Sequence, residues 1–278
     1  MVMEQLTQTL PTGIDPVAPS DGSRRALFGI VSEVIVVGGL WLGYRQVRHL
    51  TRDRADAAFA NARQVIDFEQ RVHLFNERSV QRVVLHSDVI VWLLNQYYAR
   101  VHLPLTAVFV VWLLFRHRDW YRTARTWLIT VTSAGLLIHM TYPLAPPRMM
   151  WGHGFVDTLR QRGVDLYSAN PTTSFANQFA AMPSLHFGWA VIVAVVFVAV
   201  KRTRASTLVF AHPAITLLAI VATANHYWLD AIIALVLVVG AYVLTMAILR
   251  RGPNGPLVAG PDETFDRVDD PRDQVSAT

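Results

Sequence analysis

The sequence predicts an all-α fold, a polytopic membrane helical bundle, and three observations carry that expectation. Of 278 residues, 53% are hydrophobic and only 16% are charged, against roughly a quarter charged in soluble domains. Apolar runs long enough to cross a hydrocarbon core, about 17–25 residues, recur along the chain. Arginines gather at the ends of those runs, where they act as topology signals. The mean hydropathy of +0.31 agrees with this class.

Taken in order, residues 1–22 hold Glu4, Asp15, Asp21 and three prolines with no apolar core, so they read as a disordered tail rather than a cleavable signal. The first apolar run, 26–44, is the expected N-terminal span. Residues 52–75 set Ala58, Val65, Phe68 and Phe75 among arginines and carboxylates, which suits a helix in the interface plane or one capping the bundle. Together they make a unit at 23–80, followed by a transmembrane domain at 81–250 and a disordered, Pro/Gly-rich and acidic tail at 251–278. Within 81–250, two short runs, 83–99 and 101–115, meet at the polar elbow NQYYARVH and read as a helical pair; the further spans are 127–145, 185–200, 205–225 and 227–249. No internal repeat is present.

The net charge of +5 and isoelectric point near 9.9 invite a nucleic-acid reading. The arginines form no aromatic-interleaved basic face, so no nucleic-acid partner is expected. The absence of cysteine excludes disulfides and a thiolate nucleophile.

Orientation follows from arginine. The segment RHRDWYRTAR, the link KRTR at 201–204, and Arg250 with Arg251 belong to the cytoplasm by the positive-inside rule. The opposite ends, Tyr142 to Arg148, Pro183 to His186 and Asn225 to Asp230, then converge on the outer face of a plasma membrane. Eight arginines between 45 and 82 favour a cytoplasmic location for that segment, which implies seven spans.

The three clusters suit phosphoryl transfer without a metal or other cofactor. His226 and Asp230 are four residues apart, so on a helix they share a face and the carboxylate orients the imidazole. His186 lies two residues beyond Ser184, at a Pro183-initiated helix start whose free N–H groups attract anions. Arg148 follows a proline turn, where a guanidinium fork clamps two phosphate oxygens. Asn225 is a helix cap or a substrate ligand. Isolated within apolar spans, His139 and His212 read as packing residues, and His153 as incidental. The eight tryptophans mostly sit near span ends as interfacial anchors.

MPSLH followed by NHYWLD resembles the second and third motifs of the type 2 phosphatidic acid phosphatase superfamily, K-x6-R-P, P-S-x-H and S-R-x5-H-x3-D. The forms APPRM, MPSLHFGW and NHYWLD are most similar to its inositolphosphotransferase branch, which includes inositol phosphorylceramide synthases, over roughly 80–250. The resemblance implies a six-helix phosphatase-type core, His226 as the nucleophile that becomes phosphohistidine, Asp230 as its orienting base and His186 as the acid. Ser184 and Arg148 would bind phosphoryl oxygens of a membrane lipid substrate, and water or a lipid, inositol or sugar alcohol would accept the group. The pattern departs at Thr141, where lysine is expected, and at Ala219 and Ile220 in place of Ser-Arg. Arg100, His102, Asn95 and Tyr98 at the elbow are candidates to compensate. A metal-dependent hydrolase built on His186, His226 and Asp230, or a noncatalytic lipid-binding transporter, would use the same residues.

Overall fold

The computed structural model describes residues 21–161 and 177–251. The tails expected at 1–22 and 251–278, except their innermost residues, and residues 162–176 of the linker lie outside that range. Two compact units divide at Gly43 and Tyr44. In the first, the part of helix α1 (Asp21–Arg52) up to Gly43 exposes Ile35, Val37, Trp41 and Leu42.

The second unit is helical, with a lone parallel bridge between Leu144 and Ala180 as its extended pairing among the described residues. Its further helices are α2 (Ala55–Arg71), α3 (Glu77–Val84), α4 (Asp88–Gln96), α5 (His102–Arg116), α6 (Arg118–Thr141), α7 (Thr158–Gln161), α8 (Leu185–Lys201), α9 (Ala211–Ala222) and α10 (Trp228–Arg251). Among the described residues, three stretches are long and apolar enough to cross a membrane: Asp88–Arg116, Arg204–Ala222 and Trp228–Arg250. Outward apolar side chains such as Val108, Phe115, Leu218, Val236 and Val239 cover them. Such a surface is stable only against lipid.

The bundle centre is α6, α8 and α10. Trp127, Val131, Ile192, Val193, Val238 and Ala241 form its apolar core with Phe109 and Leu113 of α5. The buried Trp127 indole donates to Val238 O at 2.8 Å and the half-buried Trp189 indole to Thr132 Oγ1 at 3.1 Å, so each ring satisfies its N–H across a helix interface. Gly135 makes room where α8 begins: a Cβ there would lie 2.6 Å from Leu185 Cδ2, and the leucine side chain would have to shift.

Two expectations are corrected. The runs at 83–99 and 101–115 are not a helical pair but one continuous stretch, joined by a π-helical turn at Tyr97–Val101. Pro104 would collide with the carbonyl of Arg100 in a regular ladder. Widening the turn at that carbonyl carries the helix past the proline. The merger removes one of the seven expected crossings.

It also moves the segment between α1 and α4. Rather than lying with the other arginine-rich ends, α2 and α3 fold onto the end of the bundle that carries the C-terminus of α6 and the N-termini of α8 and α10. Ala58, Ala62, Val65 and Ile66 of α2 pack with Leu144, Ala145, Phe179 and Tyr227. Ala145 N donates to Ala58 O at 3.2 Å. Burying Val65 and Ile66 stabilises this cap by about 1.5–3 kcal/mol per side chain, a specific contact that outweighs the charge statistics of the segment.

Candidate active site

Three loops at that capped end meet. Arg148 lies in a single 3₁₀ turn, Pro147–Met149, where the prolines limit the backbone. Its N–H donates to Ala224 O at 2.9 Å, and Nη1 donates to Asn225 Oδ1 at 2.7 Å. Its Nε stands 3.7 Å from Asp157 Oδ2. The guanidinium is buried, and a charge so placed needs such partners.

The second loop runs into α8. Ser184 caps the helix, its hydroxyl oxygen accepting from Phe187 N at 3.5 Å. Its own N–H donates to Asp230 O at 3.2 Å, which ties the second loop to the third. His186 sits in the first turn of α8, its ring centroid 4.8 Å from Tyr98 and 5.3 Å from His102.

The third loop follows α9, whose end is a Schellman turn. Asn225 N donates to Ile220 O and Ala224 N to Val221 O, both at 2.9 Å, with Ala224 in the left-handed region at φ 55°. This turn delivers Asn225 to Arg148 and His226 to the second loop. His226 is therefore not on a helix, as its spacing suggested; it precedes α10, and Asp230 lies in the first turn. The pair still meets, with Nδ1 3.2 Å from Asp230 Oδ2. Nδ1 also lies 2.7 Å from Ala181 O. A carbonyl only accepts, so Nδ1 is the donor of this bond, and Nε2 is the ring nitrogen left outside it. Asp230 Oδ2 further accepts from Tyr227 N at 2.9 Å, which fixes the carboxylate that holds the ring.

Tyr227 is fully buried, and burial, then Asp230, raises its hydroxyl well above the ordinary tyrosine value. It stays a neutral donor, to Ala145 O at 3.2 Å. Burial acts on the Tyr142 hydroxyl in the same direction.

The elbow candidates separate. His102 and Tyr98 are buried beside His186, whereas Arg100 is exposed on the same turn. Asn95 is buried with its amide bonded twice to Thr158, at 3.1 Å each. Thr141 is exposed and donates its hydroxyl to Leu137 O, while Ala219 and Ile220 are fully buried. Neither departure from the motif pattern supplies a cation there.

Two histidines read as packing residues join the same end. The His139 Nε2–H donates to Pro183 O at 3.2 Å and so steadies the second loop. The His212 ring stacks on His102 with centroids 5.3 Å apart, and its Nδ1 hydrogen-bonds the Tyr97 hydroxyl. Both ring nitrogens of His102 are buried without a hydrogen-bond partner. Their partners stand 44 to 115 positions away, a separation that leaves no local signal. Among the described residues, no three His, Asp or Glu side chains converge as a metal-ligand set.

A family model described as the PAP2 superfamily matches residues 63–244, from within α2 to within α10. No curated protein and no solved structure matches the chain.

Proposed function

The chain belongs to the PAP2 superfamily and is thereby a multi-pass membrane enzyme of the lipid phosphatase and phosphotransferase class, and from that premise we propose that it transfers the phosphoryl group of a lipid-linked phosphodiester through a phosphohistidine. The observation that carries this reading is the placing of His226 Nδ1 between two acceptors, Ala181 O at 2.7 Å and Asp230 Oδ2 at 3.2 Å. It leaves Nε2 as the nucleophile.

In the first step Nε2 of His226 attacks phosphorus, and His186 gives its proton to the departing oxygen. In the second, His186 takes a proton from the acceptor hydroxyl, whose oxygen attacks the phosphohistidine and frees Nε2. Arg148, aimed by Asn225, and the N–H groups at the start of α8 by Ser184 hold the equatorial oxygens as charge develops. His102 and Tyr98 pack against His186 and set its orientation.

The substitutions at Thr141, Ala219 and Ile220 favour a diester over a monoester. A phosphomonoester dianion in a low-dielectric site needs more compensating positive charge than a diester monoanion does. Losing two cationic positions and a serine hydroxyl of the family pattern fits the lower charge. Headgroup transfer, with inositol phosphate as the leading candidate, is therefore the preferred reaction, and dephosphorylation of a polyprenyl phosphate or phosphatidic acid the alternative outcome.

The test supplies full-length protein in nanodiscs, with EDTA, with phosphoinositides, other phosphodiester lipids, phosphatidic acid and polyprenyl phosphates. Expected is a lipid product carrying a transferred headgroup, detected by mass spectrometry and blocked by vanadate. Phosphate release from monoesters alone would overturn the diester preference. Turnover abolished by EDTA would overturn the metal-independent scheme.

The site is assigned to the extracytoplasmic face of the plasma membrane. A single Trp151→Cys change in this cysteine-free chain tests that, because Trp151 is 90% exposed in the loop after Arg148. A membrane-impermeant maleimide should label it in intact cells and leave a Lys201→Cys variant unlabelled; the reverse pattern would invert the assignment.

A further inference from the structure

We infer that Glu69 and Glu77, two acids outside the phosphoryl site, form a proton-sharing pair that holds the first turn of α10 and thereby positions Asp230 and His226. The inference rests on the reading of His226 as nucleophile, because positioning is defined by that ring.

A helix start leaves its first N–H groups without intrahelical partners. Tyr227, at the cap position of α10, has a side chain unable to accept from them, and its hydroxyl is committed to Ala145 O. Asp230 reaches back to Tyr227 N, half of a capping box. Trp228 N and Leu229 N find their acceptors on other helices. Glu77 Oε1 accepts from Trp228 N at 3.1 Å, and Glu69 Oε1 accepts from Leu229 N at 2.8 Å. The cap thus comes from α3 and α2, 151 and 160 positions away in sequence.

Both glutamates have no exposed surface. Their other oxygens, Glu69 Oε2 and Glu77 Oε2, are buried with no hydrogen-bond partner, while their Oε1 atoms sit on the consecutive N–H groups of Trp228 and Leu229. Facing the pair from the start of α10 are Asp230 and Tyr227; among the described residues no basic side chain pairs with either glutamate. Two adjacent buried carboxylates without a cation retain one proton between them. Burial, and after it Glu77, pushes Glu69 up to about 9. One negative charge then faces the positive end of α10, a favourable placement. Loss of the shared proton would set two like charges side by side next to Asp230, and the first turn would shift.

The experiment compares wild type, Glu69→Gln and Glu69→Ala in nanodiscs, by infrared difference spectroscopy across pH and by kcat and KM for the lipid turned over. Glutamine mimics the neutral acid, since its carbonyl accepts from Leu229 N and its amide donates to Glu77. Wild type should show a protonated-carboxyl band that disappears with a midpoint near 9, with kcat falling over the same range. Glu69→Gln should lack both the band and that alkaline fall, with kcat at neutral pH within about threefold of wild type. Glu69→Ala should lower kcat about thirtyfold with KM within about threefold, since the lost alignment matters in the transition state.

The sign of the stability effect follows. A folded-state value raised above the ordinary 4.5 means that the folded protein holds a proton the unfolded chain has released. Stability is complete at acid pH and declines as pH rises to about 9. The thermal midpoint of wild type should therefore fall more steeply with pH over that window than that of Glu69→Gln. An infrared band unchanged in Glu69→Gln, or the same alkaline fall in both proteins, would overturn the inference. Absence of turnover on any lipid would count against the phosphoryl-transfer reading, while the band and the thermal slopes would still decide the carboxyl pair.

Discussion

His226→Ala should lose turnover by about 10⁴-fold or more, the scale on which removal of a covalent nucleophile acts, with insertion and the helical fold retained. His226 is buried and contributes hydrogen bonds to Ala181 O and Asp230, so a thermal scan belongs beside the kinetics. Ser184 N to Asp230 O and Arg148 N to Ala224 O are backbone bonds that the variant keeps, so the three loops should stay joined. Rapid quenching of wild type with a phosphorus-labelled diester should trap acid-labile label on the protein, absent in His226→Ala. Label retained in the variant, or near-normal activity, would transfer the nucleophile's role elsewhere.

Arg148→Ala should lower kcat by about 10²- to 10³-fold, the usual loss when one preorganised stabiliser of transition-state charge is removed. Arg148→Lys should recover only part of it. A lysine is a point charge without the planar fork, and it cannot both bond Asn225 Oδ1 and present a second parallel N–H to a phosphoryl oxygen. Asn225→Ala should act in the same direction but less, about tenfold, since it frees the guanidinium without deleting its charge. A purely structural Arg148 would behave differently: both Arg148 variants would lose thermal stability in proportion to activity, and the surviving folded fraction would turn over at the wild-type rate.

The sequence and the structure divide the site unevenly. Composition and run length suffice for a helical membrane bundle, because the hydrocarbon core demands long apolar helices whatever their neighbours. His226 and Asp230 are legible as a pair because four residues separate them, and Ser184 and His186 because they open a proline-started apolar run. These are local relations, and local geometry enforces them whether or not His226 is itself helical.

Other features depended on distance in the chain. The arginines of α2 and α3 argued for one membrane side, and the apolar face of α2 put them at the other end of the bundle, where Ala58, Ala62, Val65 and Ile66 found Leu144, Ala145 and Tyr227. The elbow at 97–101 read as a break because its residues are polar, yet a widened turn costs less than a buried break whose backbone groups lack partners. His139 and His212 looked isolated until Pro183, His102 and Tyr97 were folded against them.

By itself the sequence determined the helical membrane class and the local grouping of Ser184 with His186 and of His226 with Asp230, since these follow from hydropathy and short-range spacing. Only the tertiary structure decided which nitrogen of His226 is committed to Ala181 and Asp230, what aims Arg148 and which acids cap α10. Each of those depends on a carbonyl, amide or carboxylate brought from tens of residues away, and no periodicity in a chain records such a meeting.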